Sequence, residues 1–175
     1  MNACKAIEKS MKDCLAKYAK IGPDVWLCCE QEQVKDSDPE EKRKAEKVFP
    51  QVWMMATPEG ADDNGWTFHQ PLGIVIATHY ADDPYAVMRA EIYEAVSSLV
   101  KVLYFQALDP TLAHDELDYF TAQFTKYLDG GSISIGGITM QGGSPPGLAG
   151  AAQTMSVELV FHWSQEYQPT PTPQG

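Results

Sequence analysis

The sequence has no apolar run of about 18 residues, the length that a membrane-spanning helix needs. Its first stretch, MNACKAIEKSMKDCLAKY, mixes charges throughout and lacks the apolar segment of a secretion signal, which predicts a cytoplasmic origin. Cysteine is scarce, with four residues and no C-x-x-C spacing, so no zinc site is indicated. Cys28 and Cys29 are neighbours on a predicted strand and point to opposite faces, so they cannot readily hold one ion or bridge each other. All four thiols read as small, reduced, buried hydrophobes. Positive charge is short as well: 13 Lys and Arg against 24 Asp and Glu give a formal net charge of −11. The one basic cluster, Lys42, Arg43, Lys44 and Lys47, is interleaved with Glu40, Glu41 and Glu46 and reads as a solvated mixed-charge face. A duplex-binding domain needs a basic footprint, so sequence-specific nucleic-acid binding is excluded, whereas an acidic wall past which DNA slides is compatible.

Signatures of catalysis are missing too. There is no G-x-S-x-G elbow, and Gly142-Gly143 neither precedes a Lys-Ser/Thr pair nor opens a helix with dinucleotide spacing. Asp62-Asp63-Asn64-Gly65 lacks the spaced ligands and terminal Glu of a calcium loop and reads as a turn. Among the histidines (His69, His79, His114 and His162), His79 with Asp82 and His114 with Asp115 are the conceivable base–orienter pairs. Proximity in sequence is weak support, because His114 and Asp115 diverge on a helix or a strand. Asp82-Asp83 precedes Pro84 and a long apolar stripe, so helix capping accounts for both acids without a metal. No catalytic residue, cofactor or metal ligand is predicted, and the chain is not expected to be an enzyme.

The 175 residues suit one domain with a real core, expected over residues 1–164, followed by a flexible Pro/Thr-rich tail at 165–175. Ala3, Ile7, Met11, Cys14, Leu15 and Tyr18 recur at helical steps and predict an amphipathic helix over 2–20, stopped by Gly22-Pro23. Strands are predicted at 25–34, 48–57 and 66–80, the last with a break near Pro71. A charged excursion at 35–47 separates the first two, and the turn Pro58–Gly65 separates the second and third. Leu72 to Ala77 is the most apolar stretch and is placed at the sheet centre. A second helix is predicted over 84–104, with Asp before it, Pro84 in its first position, and Tyr85, Met88, Ile92, Val96, Leu99 and Leu103 on one stripe. Leu117, Phe120, Phe124 and Leu128 suggest a third helix within 112–128, although an extended reading stays open there. Strands at 132–141 and 153–163 close the domain. This is an α+β plan: a mixed or mainly antiparallel sheet with two main helices packed on one face.

Between the last two strands, Gly142 to Gly150 holds four glycines and two prolines, a composition that continues neither a helix nor a ladder. Long structureless loops in small domains are uncommon and often functional. With no nucleophile or ligand in it, the segment Gly142, Gly143, Ser144, Pro145, Pro146, Gly147 and Leu148 is read as an interaction arm.

The order of features is an amphipathic helix, a hairpin separated by the charged excursion, and a strand running into THYADDPYAVMRAEIYEAV. The loop and closing strand GGSPPGLAGAAQTMSVELVFHW follow. This pattern resembles the tail-terminator proteins of long-tailed bacteriophages and, more broadly, the small neck proteins between head and tail. The resemblance covers about residues 3–163 and rests on pattern, without a diagnostic motif. It implies a homo-oligomeric ring, typically a hexamer, that caps the tail tube protein and joins it to the head-connector (stopper) protein. It also implies location in the virion tail or neck after synthesis in the host cytoplasm, with DNA passing through the ring. The family carries no catalytic residues to transfer. Two other readings stand beside it: another neck or tail-tube connector subunit, and a small α+β enzyme or ligand-binding domain using His79 and Asp82-Asp83.

Overall fold

The structure, a computed structural model, describes residues 2–30, 49–57, 60–61, 68–141 and 152–165. The charged excursion at 35–47, most of the turn at 58–65, the loop at 142–150 and the tail after 165 lie outside the described residues. In chain order the elements are α1 (Ala3–Tyr18), β1 (Trp26–Cys29), β2 (Gln51–Ala56), β3 (Gly60–Ala61), β4 (Phe68–His79), α2 (Val87–Leu108), α3 (Asp115–Tyr127), β5 (Gly131–Gln141) and β6 (Ala152–Gln165).

The sheet runs β1-β2-β4-β6-β5, with β3 paired to β4. Every pairing is antiparallel except that of β1 with β2. The fold is therefore α+β with a mostly antiparallel mixed sheet, and β4 is central as its apolar run predicts. Strand alternation decides what is buried. Leu72, Ile74 and Ile76 of β4 share one face with Val52 and Met54 of β2 and Val157, Leu159 and Phe161 of β6, all fully buried. Three helices cover that face. Ile7, Met11 and Leu15 come from α1, Val96, Val100 and Leu103 from α2, and Phe120 and Phe124 from α3, in one continuous core. Phe120 stacks on Phe161 with ring centroids 5.1 Å apart, locking α3 to the sheet.

Local chemistry explains the element ends. Asn2 caps α1 by accepting the N–H of Lys5 at 2.8 Å. After α3, Gly130 takes φ +69°, a conformation cheap only for glycine, and turns the chain into β5.

Four expectations need correction. The first strand ends at Cys29, and Glu30 is already helical, because β1 has a partner only along Gln51–Met54. Since β1 and β2 are parallel, the link between them is a crossover and not the expected hairpin. The third strand is unbroken at Pro71. Thr57 donates its N–H to the Pro71 carbonyl at 3.0 Å, and the reciprocal bond, which proline cannot give, is supplied by the side chain of Gln70 donating to the Thr57 carbonyl. Trp163 holds that amide by donating from Nε1 to Gln70 Oε1 at 3.3 Å. Finally, α2 begins at Val87, three residues after Pro84.

Candidate interaction surface

The predicted arm, Gly142 to Leu148, lies outside the described residues, but the structure places its root. Strand β5 ends at Gln141 opposite Ser156, whereas β6 begins at Ala152 opposite His79 of β4. Among the described residues, 152–155 are thus paired to β4 alone, and Ala152 lies beside His79, where β4 hands over to the approach of α2.

Asp83 organises that corner. Its buried carboxylate accepts the Thr78 hydroxyl at 2.9 Å, the Met88 N–H at 3.0 Å and the Arg89 N–H at 3.0 Å. The side chain thereby serves as a cap for the first turn of α2 from four residues ahead of the helix, which fulfils the expected capping role of this acid. Between the two, Ala86 adopts φ +59° to bring the chain into the helix. The detour pushes Tyr85 and Val87 outward, to 88% and 61% exposure, with Tyr80 and Met88 exposed beside them. Tyr85 and Met88 therefore do not belong to the buried stripe, which starts at Ile92. The guanidinium Nε of Arg89 is buried at this corner without a hydrogen-bond partner among the described residues.

The other end of α2 carries a second apolar patch, in which Phe105 and Leu108 are 56% and 60% exposed, with Val102 and Leu112 nearby. Both patches have one cause in the sequence. The 22 residues of α2 include only four charges, Arg89, Glu91, Glu94 and Lys101, so the outer face is charged along its middle and apolar towards both ends. At 1.5 Å per residue, Val87 and Phe105 are about 27 Å apart.

The conceivable catalytic pairs are not assembled. His79 Nδ1 accepts the N–H of Ala81 at 3.2 Å, while Asp82 is exposed. His114 bonds the Asp109 carbonyl through Nε2 at 3.0 Å, and Asp115 begins α3. The structure instead brings together His69 and His162, cross-strand partners with centroids 4.3 Å apart, on the sheet face away from the helices. Sequence reading missed this pair because only the β4–β6 register joins residues so distant in the chain. Burial pushes the Cys14 and Cys28 thiols up to about 12, so neither offers a thiolate near neutrality. No cluster of three or more potential metal ligands occurs among the described residues, and no helix there is long and apolar enough to cross a membrane.

In comparison with known proteins, the sequence matches no family model and no curated sequence significantly.

Proposed function

We propose that this chain is a virion structural subunit of the tail-terminator kind, forming a homo-oligomeric ring, typically of six copies, that caps a tail tube and meets the head connector. The observation that carries the reading is the corner at which the arm is rooted. The Gly/Pro-rich segment joins Gln141 to Ala152, and Ala152 pairs with His79 just ahead of Tyr80, Tyr85, Val87 and Met88, exposed side chains flanking the Asp83 cap. A ring uses heterologous contacts, in which each copy offers one patch and receives another, and the exposed apolar cluster at the start of α2 is suited to being one of the two. The net charge of −11 suits a channel wall that repels DNA phosphates rather than binding them.

The test is deletion of Ser144–Leu148, followed by circular dichroism and sedimentation, with assembly assayed on tail tubes. Parent-like spectra with lost rings and lost tube capping support the reading. A parent chain that stays monomeric at high concentration and ignores tubes refutes it, and polymerisation into open tubes favours a tail-tube subunit instead.

A further inference from the structure

We propose that the groove between α1, α2 and α3 receives a basic amphipathic helix from a partner protein. The groove encloses about 420 Å³. Ala95, Leu99 and Val102 of α2 contribute its apolar lining, Glu91, Glu94 and Glu116 stand around it with Lys20, and Lys17 lies over the ring of Tyr18, which also lines it. Gln106, a neutral donor, holds Glu116 in place without compensating its charge. Phe105 extends the apolar surface one turn beyond Val102. A water-facing helix surface is ordinarily polar, and Val102 and Phe105 place exposed apolar area there, which marks it as a surface suited to being covered.

Charge decides among occupants. A second copy docking by this same face sets Glu91, Glu94 and Glu116 against their own counterparts, and like charges across an interface are repulsive. A helix with apolar residues at three- and four-residue spacing, flanked by Lys or Arg, lays its apolar face on Val102 and Phe105 while its cations meet Glu91 and Glu94. The proposal is independent of the ring reading, since the groove is built by the helical layer and not by the root of the arm.

The experiment uses the full chain and a fluorescein-labelled synthetic helix of leucine and lysine, with a leucine–glutamate helix of the same spacing as control. Fluorescence anisotropy should report saturable one-to-one binding of the lysine peptide and none of the control. Val102→Asp should weaken binding about tenfold, and Phe105→Ser, at a more exposed site, should weaken it with the parent melting curve retained. The pair Glu91→Lys and Glu94→Lys should lower affinity and flatten its salt dependence. Equal binding of the two peptides, or parent-like affinity in both apolar variants, overturns the proposal. So does a parent homodimer that Phe105→Ser dissociates, because a second copy would then be the occupant.

Discussion

Glu8, fully buried on α1, accepts the backbone N–H of Ala56 at 2.8 Å through Oε1. Strand β1 ends at Cys29 opposite Met54, so the N–H of Ala56 on that side has no ladder partner, and the carboxylate takes its place. Glu8→Ala should cost about 1–3 kcal/mol, because it strands a buried donor, and Glu8→Gln, which retains an acceptor oxygen, should cost less. Urea unfolding of the three proteins checks this; equal midpoints for alanine and parent would show that the bond contributes nothing.

Asp83→Ala should be more damaging locally, since three donors lose one acceptor. A loss of about 2–3 kcal/mol is expected from the cap and the buried hydroxyl together. Hydrogen exchange should accelerate at the Met88 and Arg89 amides while the centre of β4 stays protected. Uniform acceleration across the sheet would mean that the corner and the core unfold as one unit.

Gly136 lies under the ring of His162, and a Cβ built there would stand 2.1 Å from Nε2. Gly136→Ala must displace that ring from its contact with His69, at a cost of about 1–3 kcal/mol. In a His162→Ala background the same substitution should be nearly neutral. A double-mutant cycle without coupling would rule out the clash.

Alkaline stability should depend on Cys14, whose thiol is raised by desolvation first and by the charge of Glu116 second. Above the ordinary value of 9.0 the unfolded chain releases this proton, while the native chain keeps it up to about 12. The unfolded state then binds fewer protons, so the contribution is intact below 9.0 and falls as pH rises toward 12. Comparing urea midpoints at about pH 8 and about pH 11, Cys14→Ala should lose less stability than the parent over that interval. Identical losses would mean that other groups control the alkaline limb.

Much of the architecture was legible in the sequence because burial imposes a period. The step of two in Met155, Val157, Leu159, Phe161 and Trp163 marked β6, and steps of three and four marked α1 and the inner stripe of α2 from Ile92 onward. Asp83 was readable as a cap, since an acid ahead of an apolar stripe has few other uses.

What period and composition cannot carry was decided by tertiary structure. The parallel sense of β1 against β2 depends on where the chain returns, and no residue of either strand encodes that direction locally. Pro71 reads as a strand breaker until the amide of Gln70, held by Trp163 from another strand, supplies the missing donor. Glu8 counts as a solvent-facing acid on any helical wheel, and only the early end of β1 makes its burial favourable. The outward turn of Tyr85 and Val87 follows from the detour that Asp83 and Ala86 impose before α2. The sequence alone therefore determined most of the helices and strands and most of their buried faces, through local periodicity. Tertiary structure decided strand direction, the partners of buried polar groups and the exposed apolar patches, because each depends on atoms far apart along the chain.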